Sequence, residues 1–600
     1  MEPTTGNEER PVVLPSTPER TEKSPGDAPG QWAELFAYPT SATVAALTGG
    51  LSPSSLGDAI VDWAIHLAAC PGSRIHIAAQ AARAFTALAS YGWQTTLSAG
   101  EARPCIAPPA DDHRFDDPSW GVWPFNLIHQ SFLLSERWWD AATCDGLGVT
   151  ARHGAIMRFS VHRMLDMFAP SNFIAANPVL QRRMFETGGK CLIDGAATLI
   201  EDWRRFMEGE RPVGVEAYRP GFEVAVTPGK VVYRNDLIEL IQYAPTTRSV
   251  RPEPLLLVPA WILKYYVLDL SPENSLVRWL VENGHTVFII SWRNVGEDSR
   301  MLDLEDYRRQ GVMAALDAIT AITGADKIHG TGYCLGGTLL TIAAAAMARD
   351  GDDRLASLTL FAAQTDFSEP GEVDLFLDGA QLDFLETMAR SHGYLDSGLM
   401  SGAFQALRSN DLIWPHFVRD YLMGAREPMS DLRAWHSDRT RVPIAAHSQY
   451  LRSLVLGNDL AEGRYRIGCQ PLTLEDIRVP VFAVGTEGDY VAPWRSVYKI
   501  DRHVQGEVTF LLATKGHDDG IVSEPGQPDR SYRVLTRAAK ADHLDPEAWL
   551  ARTQPQVGSW WPAWVSWIDR HSSGPAAPPS LGGPNAGTLG NAPGSYVLES

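Results

Sequence analysis

Cysteine is scarce in this chain of 600 residues. There are only six cysteines, and none of them is paired at short spacing. Short paired spacing is what a structural zinc site or a compact disulfide framework requires, so the sequence predicts neither. We therefore expect a reducing, cytoplasmic environment. The cysteines are Cys70, Cys105, Cys144, Cys191, Cys334 and Cys469.

An excess of positive charge and a long apolar run are also missing. The 52 basic residues are outnumbered by 72 acidic ones, for a net charge of −20, so no nucleic acid is expected as a partner. The longest helix-like apolar run, residues 339–347, is much shorter than the ~18 residues of a transmembrane segment. The amino terminus, Met-Glu-Pro-Thr-Thr, has neither the basic nor the apolar stretch of an export signal.

The composition that remains is that of a globular protein, with 44% hydrophobic and 21% charged residues. The length is too great for one compact domain. Residues 1–31 have the composition of a disordered leader, and residues 32–230 show the pattern of an α-rich amino-terminal domain. Residues 231–572 are predicted to form the larger domain. Residues 573–600 are a Gly/Pro-rich tail, in which ordered packing is not expected except for local docking of the closing Tyr596-Val597-Leu598.

Six strand-like apolar runs alternate with helical patterns in the larger domain. This alternation predicts an α/β fold, with a parallel sheet covered by helices on both faces. The alternation is interrupted at about residues 366–470, which we interpret as an inserted cap subdomain. The strand-like runs are residues 254–258, 286–291, 327–331, 358–362, 481–485 and 508–512.

The most informative motif is Gly332-Tyr333-Cys334-Leu335-Gly336. It lies between a predicted strand and a helix of small residues, where α/β-hydrolases place a nucleophilic serine. The glycines allow strand and helix to pack closely around an exposed nucleophile. A buried, inert thiol is the alternative interpretation of Cys334.

A thiol nucleophile needs a base, and the base needs an acid that orients it; in α/β-hydrolases the chain order is nucleophile, acid, histidine. Asp489 follows one predicted strand and His517 follows the next, in that order. Asp366 and Asp438 come too early in the sheet to serve as the acid in the standard geometry. Among the sixteen histidines, His329 is predicted to be structural, and His447 stays an alternative base.

An oxyanion hole requires two backbone N–H groups aimed at the developing charge. The residue after the nucleophile, Leu335, supplies the first. The loop after the strand at 254–258 is predicted to supply the second from about Ile262. An ordinary strand-end loop is the alternative interpretation of that segment.

Several long blocks of this sequence resemble the polyhydroxyalkanoate synthases of the class I-like, single-chain type, from about Arg114 to the carboxyl terminus. The blocks are Phe115-Asp116-Asp117-Pro118-Ser119-Trp120, Asn172-Phe173, Asn177-Pro178, Tyr233-Arg234-Asn235, Ile241-Gln242-Tyr243, Lys264-Tyr265-Tyr266, Leu268-Asp269-Leu270, Ser291-Trp292-Arg293-Asn294, Gln364-Thr365-Asp366-Phe367, Asn410-Asp411-Leu412-Ile413-Trp414 and Tyr450-Leu451-Arg452, with Trp435, Asp438, Thr440, Pro443 and His447.

The resemblance implies that Cys334 is the acylated nucleophile, His517 its base and Asp489 the acid, with Trp414 near the substrate pocket. It implies an α/β-hydrolase core with a cap, and an amino-terminal domain that supports dimerisation and attachment to polymer granules. The implied substrates are (R)-3-hydroxyacyl-CoA thioesters such as the 3-hydroxybutyryl ester, with no cofactor besides that substrate. A homodimer is the expected assembly.

Four residues depart from the family pattern: Gly488 and Tyr490 on either side of the predicted acid, and Ala260 and Leu263 in the predicted oxyanion loop. None of these changes removes a catalytic group. They bear on substrate range or loop stability.

The predicted reaction is polymerisation of hydroxyacyl groups through an acyl-cysteine, with release of CoA. A cytosolic thioesterase or esterase is the first alternative, since it would use the same groups and differ only in admitting water to the acyl-enzyme. A non-catalytic granule-surface protein is the second. For that alternative, an apolar helix face would be formed by Trp560, Trp561, Trp564 and Trp567, although such spacing is more typical of core packing.

Overall fold

The computed structural model describes residues 52–97, 103–109, 112–143, 148–371, 375, 378–389, 392–396, 413–438 and 440–599. The leader predicted at residues 1–31 and Cys144 lie outside the described residues. No helix within these ranges is long and apolar enough to cross a bilayer.

The amino-terminal part of the described chain is helical, as its sequence pattern predicts. Side-chain oxygens of Ser52, Thr150 and Asn177 accept backbone N–H groups in the first turns of three of its helices, which fixes where those helices begin. The apolar faces meet in a small core around Trp120 and Ile156. The helices are α1 (Pro53–Ala69), α2 (Pro71–Leu97), α3 (Phe125–Thr143), α4 (Ala151–Met167), α5 (Pro178–Glu186) and α6 (Lys190–Glu208).

An eleven-stranded mixed sheet follows, in the order β14-β13-β12-β11-β6-β5-β3-β4-β2-β1-β15. Its strands are β1 (Gly229–Arg234), β2 (Ile238–Tyr243), β3 (Leu255–Val258), β4 (Val287–Trp292), β5 (Ile328–Tyr333), β6 (Leu355–Phe361), β11 (Val481–Thr486), β12 (Val508–Ala513), β13 (Ser531–Arg537), β14 (Gln556–Val557) and β15 (Gly590–Asn591). The strands β3, β4, β5, β6, β11 and β12 are mutually parallel. They coincide with the six runs predicted from sequence. The antiparallel strands at both edges were not predicted.

The central strands are buried along almost their whole length because both faces of the sheet are covered. In β3, Leu256 and Val258 join one core cluster, while Leu255 and Leu257 join the other. Helices pack on each face, as predicted. They are α7 (Leu276–Glu282), α8 (Leu304–Asp306), α9 (Ala314–Thr323), α10 (Leu335–Asp350), α15 (Trp494–Tyr498), α16 (Ile500–His503), α17 (Pro546–Arg552), α18 (Trp561–Arg570) and α19 (Gly583–Ala586), with a π-helix at Tyr307–Met313.

The chain between β6 and β11 leaves the sheet, where the sequence predicts a cap. Its described elements are α11 (Gly379–Ala389), β7 (Tyr394–Asp396), α12 (Trp414–His416), α13 (Asp431–His436), β8 (Arg441–Pro443), α14 (Ile444–Gln449), β9 (Arg466–Ile467) and β10 (Gln470–Pro471). Two π-helices, Phe417–Leu422 and Tyr450–Leu456, belong to the same segment. The strands pair only with each other, β7 with β8 and β9 with β10.

The four tryptophans at and near the start of α18 are buried, with side chains at most 1% exposed. Trp560 and Trp564 pack edge-on against Phe361 of β6, and the Trp564 indole N–H donates to Thr359 at 3.1 Å. These tryptophans are therefore part of the core. The alternative in which they form an exposed apolar face is wrong, because the sheet occupies that face.

The Gly/Pro-rich tail packs on the sheet despite its composition. β15 pairs antiparallel with β1, and the fully buried Glu239 accepts the N–H groups of Ser595 and Tyr596 at 2.8 and 3.0 Å. Near the end of the chain, the Lys264 ammonium donates to the Glu599 carbonyl at 2.6 Å. Polar contacts of this kind anchor a segment that composition alone predicts to be unpacked.

Candidate active site

Cys334 lies at a strained turn between β5 and α10. Its φ of 53° and ψ of −127° fall in a region that non-glycine residues adopt at a cost of about 1–3 kcal/mol. The turn is held by the Cys334 N–H, which donates to the Phe361 carbonyl at 2.9 Å. A Cβ added at Gly332 would lie 2.3 Å from Gly337 Cα. The glycines around Cys334 are therefore required by the close approach of strand and helix, as the motif predicts.

Asp489 and His517 follow β11 and β12, which are neighbours in the sheet. The His517 Nδ1 donates to Asp489 Oδ2 at 2.7 Å. The other carboxylate oxygen of Asp489 accepts the N–H groups of Val491 and Ala492, each at 2.8 Å. Asp489 is thus fixed by the backbone of its own loop and is free to orient the imidazole through one oxygen.

Charge and hydrogen bonding couple Cys334 to His517. Burial alone would lower the pKa of His517, but the Asp489 carboxylate and then the Cys334 sulfur raise that pKa well above its ordinary value. A hydrogen bond between the sulfur and the imidazole contributes to this rise, which places Cys334 beside the His517 ring. The three residues singled out from sequence are therefore brought together at the carboxyl ends of neighbouring parallel strands, where α/β proteins hold their ligands.

Comparison with known proteins shows the family to which the chain belongs. Profiles described as "Poly-beta-hydroxybutyrate polymerase N terminal" and "Poly-beta-hydroxybutyrate polymerase (PhaC) N-terminus" match residues 39–73 and 111–280, and one described as "alpha/beta hydrolase fold" matches residues 253–523. The chain is 40% identical over 516 residues to the poly(3-hydroxyalkanoate) polymerase of Methylorubrum extorquens, covering 84% of each chain. This chain belongs to the poly(3-hydroxyalkanoate) polymerase family.

Other members of the polymerase family align over a similar extent. The chain is 34% identical to the PhaC subunit of Cupriavidus necator, covering 84% of this chain and 85% of that one. Among solved structures, the Paleococcus ferrophilus monoacylglycerol lipase aligns with 56% of this chain and 99% of its own, at 12% identity and a TM-score of 0.32. Family membership makes this polymerase an enzyme of the acyltransferase type.

The other predicted candidates lie elsewhere in the polymerase. His329 is buried with its two ring nitrogens 2.7 and 3.0 Å from the hydroxyls of Ser357 and Ser572, which is the structural role predicted for it. His447 is buried in α14, and burial lowers its pKa to about 4. Asp366 pairs with His503 at 3.0 Å, and Asp438 pairs with Arg211. Neither aspartate is hydrogen-bonded to His517.

The predicted oxyanion loop lies against the start of α10. A Cβ added at Gly336 would lie 2.1 Å from the Val258 carbonyl oxygen and 2.4 Å from that of Pro259. Among the backbone hydrogen bonds of the described residues, none is donated by the N–H of Leu335 or Ile262. Both groups are thus left for another acceptor, and their role in an oxyanion hole stays a prediction.

Trp414 is part of α12, where its ring packs 5.8 Å from that of Phe417. The π-helix that follows lies against α6, with Tyr421 donating to Asp202 at 3.1 Å. These contacts attach the segment to the amino-terminal helices. The role of Trp414 in the substrate pocket stays a prediction.

Two residues near Cys334 were not predicted to act there. Burial raises the pKa of the Tyr450 phenol, and the charge of Cys334 raises it further. Asp518 accepts a hydrogen bond from Tyr333, the residue before Cys334. For Asp518, the only indication in the sequence was its position next to His517. Tyr450 is far from Cys334 in the sequence, so no local sequence pattern could place it at the site.

One of the four family departures, Gly488, fits its surroundings. A Cβ added at Gly488 would lie 3.0 Å from the Lys515 carbonyl, whose oxygen also accepts the Gly488 N–H at 2.8 Å. Glycine here lets the loop of Asp489 pack against the loop of His517.

Within the described ranges, no group of three or more His, Cys, Asp or Glu side chains could hold a metal ion.

Proposed function

We propose that this polymerase joins (R)-3-hydroxyacyl groups from CoA thioesters into a polyester through an acyl-cysteine at Cys334. The observation that carries the proposal is the coupling of Cys334 to a His517 that Asp489 orients and holds cationic. A thiolate is intrinsically more nucleophilic than a hydroxyl, and a neighbouring imidazolium favours that form of a cysteine. Attack on a thioester then exchanges one sulfur ester for another at little energetic cost.

In the first half-reaction the Cys334 sulfur attacks the thioester carbonyl, and the N–H groups of Leu335 and Ile262 bind the oxyanion. The carbon–sulfur bond to CoA breaks, and the departing thiolate takes the proton held by His517. In the second half-reaction neutral His517, alone or with help from Asp489, removes the proton from the 3-hydroxyl of another hydroxyacyl group. That oxygen attacks the acyl-cysteine, forms the ester and releases the Cys334 thiolate. Repetition lengthens the chain without any cofactor besides the CoA ester.

The competing function is a thioesterase, in which water attacks the acyl-cysteine. Incubation of the purified protein with (R)-3-hydroxybutyryl-CoA, with free CoA and insoluble polymer followed together, separates the two. We expect CoA release to match polymer formation and Cys334→Ala to abolish both. Release of CoA with only soluble hydroxy acid would contradict the polymerase, and release unaffected by Cys334→Ala would contradict the nucleophile.

We also propose a cytoplasmic enzyme attached to the surface of polymer granules through its amino-terminal helices, acting as a homodimer. Support for the attachment comes from α5 and α6, where Phe185, Ile193, Ile200 and Phe206 are 68–78% exposed. Apolar side chains this exposed are typical of a surface that binds an apolar partner. Ile200→Glu combined with Phe206→Glu is expected to reduce co-sedimentation with washed granules, and unchanged sedimentation would refute this surface. The mass of the soluble protein by light scattering tests the dimer.

A further inference from the structure

A second carboxylate lies beside the base. Asp518 follows His517 directly, and its side chain is 19% exposed. Its Oδ1 accepts the Tyr333 hydroxyl, and Tyr333 is the last residue of β5 before Cys334. Its Oδ2 lies 2.8 Å from the His436 Nε2, which donates to it. One carboxylate thus joins the loop of the base, the strand of the nucleophile and the cap.

The cap contributes a second contact from the adjacent residue. The Trp435 indole N–H donates to the Lys264 carbonyl at 2.7 Å, and Lys264 lies two residues after Ile262 in the predicted oxyanion loop. The rings of Trp435 and His436 are 4.7 Å apart. α13 therefore touches both loops that carry predicted catalytic groups, one through Trp435 and the other through His436.

We propose that Asp518 is a positioning residue, which holds the His517 loop in register with Cys334 only while His436 of the cap is docked on it. The proposal rests on the function proposed above, since it concerns the alignment of the same nucleophile and base. Asp518 acts through its hydrogen bonds to Tyr333 and His436.

Electrostatics favour the ionised form of the Asp518 carboxylate. Burial would raise the pKa of Asp518, but the hydrogen bond from His436 and the charge of His517 lower it to about 2. An ionised carboxylate accepts stronger hydrogen bonds than a neutral acceptor does, which strengthens the contacts of Asp518 with Tyr333 and His436. The Tyr333 ring also lies 5.6 Å from the His517 ring. Because Asp518 bonds to Tyr333 and adjoins His517, displacement of its carboxylate disturbs the positions of both Cys334 and His517.

The test compares Asp518→Ala, His436→Ala and the double variant. His436→Gln serves as the conservative variant because its amide can still donate to Asp518. His543→Ala is the matched control, since His543 also pairs with a carboxylate, that of Asp501, away from Cys334. The rate at which iodoacetamide alkylates Cys334, followed by mass spectrometry of its peptide, reports the nucleophile without requiring polymerisation. kcat and KM with (R)-3-hydroxybutyryl-CoA are measured on the same samples.

We expect each single alanine variant to lower both the alkylation rate and kcat about tenfold, the typical effect of removing a hydrogen bond to a charged group, with KM unchanged. The double variant should lose no more than either single one, and His436→Gln should recover most of the loss. Wild-type alkylation in a folded Asp518→Ala, or additive losses in the double variant, would overturn the proposal. Should Asp518→Ala fail to fold, the contrast between His436→Ala and His436→Gln decides alone, and equal rates in those two would overturn it. Alkylation of Cys334 does not depend on turnover, so it tests the role of Asp518 even if the protein forms no polymer. Absence of polymer formation in the wild type would contradict only the proposed function.

Discussion

Gly336→Ala is the sharpest test of the predicted oxyanion hole, because its effect follows from distances in the structure. The new methyl group would lie 2.1 Å from the Val258 carbonyl oxygen, whereas Cβ atoms essentially never approach closer than 3.0 Å. The strand end or the helix must therefore move by about 0.9 Å. Val258 and Pro259 begin the loop that carries Ile262, so the shift moves one predicted donor relative to the other. A misplacement of this size, or the loss of one donor, lowers kcat by about 100-fold.

The assay is CoA release from (R)-3-hydroxybutyryl-CoA, with the unfolding temperature measured on the same sample. Overpacking of this kind costs about 1–3 kcal/mol, so the variant is expected to fold and to lose activity out of proportion to its stability. Gly57→Ala is the matched control: it lies in α1, a Cβ there meets nothing within 4 Å, and activity should be unchanged. Wild-type kcat in Gly336→Ala would refute the assignment of the loop of Ile262 to the oxyanion hole.

Three further outcomes concern stability. The pKa of His447 is about 4 in the folded protein and about 6.5 in the unfolded chain, so the unfolded state takes up a proton that the folded state does not. The free energy of unfolding therefore falls by about 2 kcal/mol between pH 7 and pH 5. In His447→Leu, the free energy of unfolding measured in urea should depend less on pH by that amount. Deleting residues 589–600 removes the N–H groups that Ser595 and Tyr596 donate to the Glu239 carboxylate, and should lower the unfolding temperature; an unchanged unfolding temperature would contradict a stabilising role of the tail. Trp564→Ala should cost about 3–5 kcal/mol by denaturant unfolding, since this side chain is fully buried; a loss below 1 kcal/mol would contradict its place in the core.

The six central strands could be predicted because burial on both faces makes them continuous apolar runs bounded by polar loops. The antiparallel edges could not. β13 is only half-buried along its length, and β15 is two residues from a segment rich in glycine and proline. β15 owes its position to partners far away in sequence, β1 and Glu239, and such contacts leave no local periodicity.

The same distinction applies to the site. Cys334, Asp489 and His517 could be singled out because each follows a recognisable strand in a known chain order. Tyr450 and His436 belong to the cap, where short elements with irregular turns give no such frame. Their approach to Cys334 and Asp518 depends on how the cap folds back over the sheet, which is a property of tertiary packing.

The docking of the tail affects how the protein can be engineered. The Lys264 ammonium holds the Glu599 carbonyl, and the Asn294 N–H donates to the Glu599 side chain at 3.2 Å. An affinity tag or displayed partner joined after this point therefore begins beside the loop that carries Ile262, and tension in a short linker is transmitted to that loop. Carboxyl-terminal fusions are best given a long spacer, with turnover compared across spacer lengths.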